Sequence, residues 1–287
     1  MNSFENRPIG IYEKALPGNM DWENRLEAVK KAGFNFLEIS IDESDERLSR
    51  LDWSQEKLDY IKSILKEKDI RIPSMCLSGH RRFPFGSKDK ETREKALEIM
   101  KKAIKFADYL GIRVIQLAGY DVYYEESDQK TRELFLEGLN EAVKLASRAE
   151  ITLAIEIMDT KLIGTINKAL KYVDHFKSPW LKIYPDLGNL SQWAEDPAQE
   201  LEDGIEHTVA VHVKDTKPET FKEVPFGEGT VDFVKLFSKL NQLNYEGPFL
   251  IEMWADNSQE YDFDKSVNEI KTAKEWVENK MVKGGLL

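Results

Sequence analysis

The sequence is poor in the features that mark several large classes of protein. It has one cysteine, Cys76, in 287 residues, so no internal disulfide can form, and a reducing compartment suits the chain. No apolar run approaches the roughly 18 residues that would span a bilayer. The opening MNSFENRPIG has charges with no apolar segment behind them, unlike a secretory signal. A cytoplasmic protein without a membrane partner is expected. An excess of positive charge is missing too, since 41 Lys and Arg face 52 Asp and Glu for a net charge of −11. That balance argues against a nucleic-acid backbone as the main partner, although a small anion can bind wherever local groups override the field. No Pro/Gly/Ser-rich linker or low-complexity tract divides the chain, and its 41% of hydrophobic residues can build a real core.

What is present is one recurring unit: a short Ile/Val/Leu-rich run, a polar loop, then a helical pattern. The β-type runs are PIGIYEK (8–14), FNFLEISI (34–41), IRIPSMCLS (70–78), RVIQLAG (113–119), TLAIEIM (152–158), LKIYPDLGN (181–189), TVAVHVKD (208–215) and PFLIEMW (248–254). Between them lie helical spacings, clearest at 131–149, where Phe135, Leu139, Ala142, Val143 and Ala146 form one stripe. Gly33, Gly111 and Gly247 fall between helix and next strand, where left-handed helix caps are expected. A last helix over about 260–280 follows the eighth run. The pattern predicts an α/β fold, a single (β/α)8 TIM barrel over residues 1–287, with a doubly wound open sheet as the alternative.

In such a barrel, chemistry sits at the C-terminal strand ends. Strands five to eight each place one polar residue there, within apolar surroundings: Glu156, Asp186, His212 and Glu252. Taken singly, a strand histidine is usually a hydrogen-bonded core residue, whereas ionised carboxylates are almost never buried unpaired. Three buried carboxylates would repel strongly, and a divalent cation removes the problem. The donor set is compatible with Mn²⁺, Zn²⁺, Mg²⁺ or Co²⁺, which ligand type alone does not separate; one ion per chain, Zn²⁺ or Mn²⁺, is the expectation.

Basic residues supply candidates for an anion. GHRRF places His80, Arg81 and Arg82 just beyond strand three, and guanidinium groups bind phosphate through paired donors, with Ser87 or nearby amides completing the contact. The alternative is pairing of these arginines with surface acids. PFGEGT (225–230) is a second candidate, because Gly227 and Gly229 before the helix containing Asp232 and Phe233 can expose amides to an anion. Lys214 and Lys217 lie near that loop. Asn189 is a candidate for a substrate hydroxyl, and Glu38 is expected to orient another polar group near the end of strand two. Trp254 can wall the site from water, Trp22 and Trp53 are expected to pack helices, and ERLSRLDW (46–53) reads as a solvated loop.

The segments AIEIMDT, KIYPDLGNL, VHVKDT, VPFGEGTVDF and LIEMW resemble the xylose-isomerase-like TIM barrel superfamily. Within it, SGHRRFPFGS (78–87) is similar to the L-ribulose-5-phosphate 3-epimerase (L-xylulose-5-phosphate 3-epimerase) family of L-ascorbate and related sugar catabolism. The resemblance covers almost the whole chain. It implies a phosphorylated ketose as substrate and inversion at C3 by two-base proton transfer through a cis-enediolate, with Glu156 and Glu252 as the catalytic pair. Asp186 and His212 are then ligands only, and a homodimer is implied. Asn189 stands where the related ketohexose 3-epimerases commonly carry histidine, which points away from an unphosphorylated ketohexose. An aldose–ketose isomerase on the same metal site is the main alternative. A multi-metal DNA-repair endonuclease fits poorly with four histidines and the acidic balance. A non-catalytic barrel that senses a sugar phosphate or metal would have little use for two opposed carboxylates.

Overall fold

The computed structural model describes residues 7–258 and 260–287. Eight parallel strands follow in chain order: β1 (Ile9–Tyr12), β2 (Phe36–Ile41), β3 (Ser74–Leu77), β4 (Val114–Ala118), β5 (Thr152–Glu156), β6 (Leu181–Tyr184), β7 (Val211–Val213) and β8 (Phe249–Ile251). They are hydrogen-bonded in the order β6, β5, β4, β3, β2, β1, β8, β7. Closure between β6 and β7 is made by the isolated bridges Ile183 to Thr208 and Asp186 to His212. There Val209 N donates to Ile183 O at 3.1 Å and His212 N donates to Pro185 O at 2.8 Å. The barrel expected from the periodicity is therefore present, and the eight runs each contain one strand.

The strands are buried almost throughout, as parallel strands covered by helices must be. The covering helices are α1 (Trp22–Lys31), α3 (Gln55–Lys68), α4 (Lys90–Leu110), α5 (Gln129–Arg148), α6 (Ile166–Phe176), α8 (Pro197–Gly204), α9 (Phe233–Gln242) and α10 (Phe263–Lys283), with two short additions, α2 (Asp45–Leu48) and α7 (Leu187–Trp193). Local chemistry sets their ends. Asp21, Asp89, Asp128, Asp232 and Asp262 each accept a backbone N–H from the first turn of the helix they precede, which satisfies a donor with no intrahelical partner. The stripe read at 131–149 is the buried face of α5. Among the described residues, no helix is long and apolar enough to cross a membrane.

Two local expectations need correction. Gly33 and Gly111 adopt φ of 77° and 78°, as helix caps should, but Gly247 does not; after α9 the left-handed residue is Asn244, with φ 53°. Asn tolerates that conformation through its short polar side chain, so the turn is made three residues earlier. ERLSRLDW is not a solvated loop. It forms α2 and a 3₁₀ turn at Ser49–Asp52, with Arg47 and Arg50 buried. Trp22 and Trp53 do pack helices together, edge to face at 5.8 Å.

Candidate metal centre

The four residues from strands five to eight converge. Each of Glu156, Asp186, His212 and Glu252 offers one ligand atom, and these atoms lie within 4.8 Å of one another. His212 Nδ1 is 3.3 Å from Glu156 Oε1, 3.3 Å from Glu252 Oε2 and 3.8 Å from Asp186 Oδ2. Asp186 and His212 are 0% and 1% exposed. The Glu156 and Glu252 side chains face the barrel mouth and retain 9% and 10% exposure. Asp186 has a second task, since its Oδ1 accepts Asn189 N at 2.8 Å and so caps α7, leaving Oδ2 to face the cluster.

Asp186 Oδ2, His212 Nδ1 and Glu252 Oε2 make no hydrogen bond of good geometry, the ion contact from Lys214 aside. Buried polar atoms are rarely left this way. The electrostatics describe the same deficit. Burial pushes the Glu156 carboxyl up to about 7 against the pull of His212. It pushes Glu252 up as well, but Lys214 and His212 outweigh burial and hold that carboxyl low. Burial disfavours charge on His212, yet Tyr184, Asp186, Glu156 and Glu252 together raise its pKa well above the ordinary value. Positive charge is required at the point where the three carboxylates meet, and a divalent cation there fits the oxygen and imidazole donors.

Support comes from across the barrel. Glu38 on β2 lies 3.4 Å from His212 Nε2 through Oε1, while its Oε2 accepts the Tyr184 hydroxyl at 3.2 Å. Gln116 on β4 is 3.3 Å from the same Nε2. Glu38 thus contacts another polar group, as the sequence suggests, and that group is His212. A carboxylate on the far nitrogen fixes tautomer and ring plane.

A cavity of about 60 Å³ opens above the cluster, lined by residues that include Tyr12, Lys14, Cys76, Ser78, Arg81, Asp159, Asn189, Lys214, Lys222 and Trp254. Arg81, Asn189, Lys214 and Trp254 are therefore where the sequence places them. Lys214 is not free for an anion, however, because its Nζ is 2.9 Å from Asp186 Oδ2 and 3.4 Å from Glu252 Oε2. Asn189 Nδ2 donates to Ile157 O at 2.9 Å, and its Oδ1 is buried without a partner. Burial beside Glu156 and Glu38 pushes the Cys76 thiol up to about 12, which makes it a wall and not a nucleophile.

Other candidates lie elsewhere. His80 is packed on Phe85 at 4.4 Å with Nε2 3.2 Å from Ala96 O, and burial pulls it down to about 4. It is a neutral core histidine under α4. Arg82 turns outward to Asp45 at 2.6 Å, and Ser87 Oγ accepts Asp89 N at 3.2 Å before α4. Neither lines the cavity. The amides of Gly227 and Gly229 donate to Asp215 Oδ2 at 2.8 and 3.0 Å, so PFGEGT has no amides spare at those positions. Lys217 faces Glu228 at 3.8 Å. The residues not anticipated are Tyr12, Lys14, Ser78, Asp159 and Lys222; each sits in a strand, a 3₁₀ turn or a loop with nothing periodic to single it out.

Comparisons with known proteins agree with this geometry. Residues 26–280 match the family model described as xylose isomerase-like TIM barrel. The L-ribulose-5-phosphate 3-epimerase UlaE of Escherichia coli O1:K1 / APEC is 54% identical over 280 residues, covering 98% of this chain and 97% of that protein. Among solved structures, D-psicose 3-epimerase from Clostridium cellulolyticum H10, with D-tagatose, superposes with a TM-score of 0.78 at 18% identity, over 96% of this chain and 99% of that one. The IOLI protein with a bound zinc atom gives a TM-score of 0.78 at 15% identity, over 96% and 98% of the two chains. At those identities the structures speak for the fold alone, whereas the 54% relative speaks for the family. The chain belongs to the xylose isomerase-like TIM barrel family and, within it, to the L-ribulose-5-phosphate 3-epimerase family.

Proposed function

We propose that this protein is a metal-dependent isomerase that inverts C3 of a ketopentose 5-phosphate, interconverting L-ribulose 5-phosphate and L-xylulose 5-phosphate. The observation that carries the reading is the convergence of Glu156, Asp186, His212 and Glu252 with their inward atoms unsatisfied. A divalent ion held by these four would supply Lewis acidity toward the ketose carbonyl and acidify the neighbouring C3 proton. Zn²⁺ or Mn²⁺, one per chain, is the reading for the ion.

The chain's own residues then divide the work. Glu156 and Glu252 reach in from β5 and the end of β8, on separate sides of the cluster, each 3.3 Å from His212 Nδ1. One removes the C3 proton and the other returns a proton to the opposite face, with the roles exchanged in the reverse direction. Asp186 and His212 hold position. Trp254 and the cavity wall limit the water that could quench a carbanion-like intermediate. A cytoplasmic, one-domain enzyme of L-ascorbate and related sugar catabolism, acting as a homodimer, completes the reading on the strength of family membership.

The test is incubation of metal-replete protein with L-xylulose 5-phosphate in D₂O, followed by NMR. Deuterium at C3 of both substrate and newly formed L-ribulose 5-phosphate is the expected result. Exchange confined to C1, or an aldose product, would reassign the site to aldose–ketose isomerisation.

A further inference from the structure

A second cavity, of about 480 Å³, lies outside the metal centre on the rim of the barrel, between the β4–α5 and β5–α6 loops and the first turns of the helices that follow them. It shares no lining residue with the cavity above the cluster. Four cations line it: Arg132 from α5, Lys161 from the β5–α6 loop, and Lys168 and Lys171 from α6. One carboxylate, Asp121, opposes them, and its Oδ2 already accepts the Ser127 hydroxyl at 2.8 Å and the Thr131 hydroxyl at 2.5 Å. In a chain of net charge −11, a surface cation readily finds a carboxylate. Nearby, Lys88 pairs with Asp128 at 2.6 Å and Lys130 with Glu133 at 3.7 Å, whereas none of the four cavity cations is ion-paired among the described residues.

Lys168 Nζ instead donates to Lys161 O at 2.6 Å, which carries its charge over the β5–α6 loop. Arg132, Lys161 and Lys171 are exposed and can be reached from solvent. Thr160 Oγ1, also in the lining, is buried with no hydrogen-bond partner. The Tyr172 ring, held edge to face on Phe135 at 5.5 Å, forms a wall beside these donors. Both helices begin here, and the positive ends of their dipoles add to the same field. Four like charges around one cavity repel, and a dianion among them removes that cost while offering acceptors to the guanidinium, the ammonium groups and the Thr160 hydroxyl. The two loops join this cavity to the active site. Met158 N donates to Ile163 O at 2.9 Å, closing a tight loop in which Asp159 lines the cavity above the metal centre and Thr160 lines the second one. In the β4–α5 loop, Tyr120 lines the second cavity and packs on Tyr123 at 5.2 Å, and the Tyr123 ring lies 4.5 Å from the Arg81 guanidinium.

We propose that this rim cavity is a second anion site, which takes a small phosphorylated metabolite other than the ketose being turned over, and that its occupancy adjusts turnover through the β5–α6 loop. The effect on turnover rests on the 3-epimerase reading, but the anion site stands on its own geometry.

The experiment titrates metal-replete wild type, Lys161→Met/Lys171→Met and Lys161→Arg/Lys171→Arg with inorganic phosphate and with glycerol 3-phosphate, read by calorimetry. Wild type is expected to bind two anions per chain, one above the metal centre and one at the rim. In the Met variant the rim affinity should fall about 100-fold or more, since each lost hydrogen bond to a charged group weakens binding by about tenfold or more. The Arg variant should keep both anions. Whichever probe binds the rim more tightly identifies the source, free phosphate or a phosphate ester. With L-xylulose 5-phosphate alone the Met variant should keep the wild-type kcat and KM, whereas added phosphate should change kcat in wild type and act only as a competitor in the variant. A single anion on wild type, or equal binding by the Met variant, overturns the second site. A lost preference for phosphorylated over free L-xylulose in that variant also overturns it, because the cavity would then belong to the substrate. A second anion that leaves the wild-type kcat unchanged overturns its effect on turnover. If wild type turned over neither ketose, the 3-epimerase reading would fail while the titration still decided the anion site.

Discussion

Glu13 and Glu156 are both buried carboxylates at the C-terminal ends of barrel strands, and they are satisfied in opposite ways. Glu13, directly after β1, is surrounded by three guanidinium groups. Arg47 Nη1 reaches Oε1 at 2.7 Å, Arg50 Nη1 reaches both oxygens at 2.8 Å, and Arg25 stands at 3.9 Å. Ser40 N adds a bond at 2.8 Å. The arginines also accept work beyond Glu13, since Arg25 donates to the carbonyls of Glu13, Pro17 and Met20 and so fixes the β1–α1 loop. Glu156 sits in a group with too many carboxylates and with inward atoms unsatisfied. The first cluster pairs its carboxylate fully and leaves over only donors, Arg25 Nε and Arg47 Nη1, so it has no place for a cation. The second is incomplete without a cation, and that difference separates scaffold from functional site more sharply than burial or charge alone.

The largest expected effect tests the incomplete cluster. Glu156→Gln and Glu252→Gln should each lower kcat by about 10³-fold or more at saturating metal, the scale of losing a positioned acid–base group. Without added metal, Glu156→Gln should unfold at equal or higher urea concentration than wild type, because it removes like-charge repulsion. A stable, catalytically dead protein would match an unsatisfied functional site; near-normal turnover by either variant would sink the two-base mechanism.

Glu13→Ala should do the reverse. It leaves Arg47 and Arg50 buried without their anion, a defect of about 3–5 kcal/mol, readable as a lower urea midpoint. The acid limb of the stability curve carries the same information. Burial raises the Glu13 pKa, but Arg50, Arg25, Arg47 and the Ser40 amide outweigh it and hold the group below its ordinary 4.5. The unfolded chain therefore binds the proton more readily. This contribution is fully present above about pH 4.5 and drains away as pH falls through the folded value, so Glu13→Gln should flatten that limb.

The two clusters also differ in how far the sequence discloses them. Glu156, Asp186, His212 and Glu252 stand out because each interrupts an apolar run at the same place in successive repeats, and the barrel topology turns that spacing into proximity. The partners of Glu13 lie 12 to 37 residues away, in segments whose charges look solvated when read locally. His80 is ambiguous in sequence for a related reason: beside two arginines it reads as an anion ligand, and only the packing of Phe85 and Ala96 shows that it is core. Lys222 lies in an irregular loop whose position depends on a stack with Trp193, a contact with no periodic signature.

Metal addition should separate the clusters next. A cation that binds only the folded chain stabilises it by about 2.7 kcal/mol at a hundredfold excess over Kd, so Zn²⁺ or Mn²⁺ should raise Tm by several degrees. Asp186→Asn should abolish most of that rise while keeping the cap on α7, because an amide oxygen still accepts Asn189 N. Glu13→Gln, though less stable throughout, should show the full rise.

Glu38 lies between the two regions and gives the finest test. It is buried on β2 like the Glu13 group, yet it faces His212 Nε2 at 3.4 Å and is itself steadied by the Tyr184 hydroxyl. If it orients the ligand histidine, Glu38→Gln removes the charge that holds a proton on Nε2 and leaves Nδ1 less basic toward a cation. Metal affinity should then fall about 10- to 100-fold, or about 1.4–2.7 kcal/mol, measured by competition with a chelating dye. Activity should return at high metal concentration, because neither proton-transfer carboxylate is altered. An unchanged Kd would place Glu38 with Glu13 as scaffold, and the boundary of the functional site would then run between His212 and the residue that touches its far nitrogen.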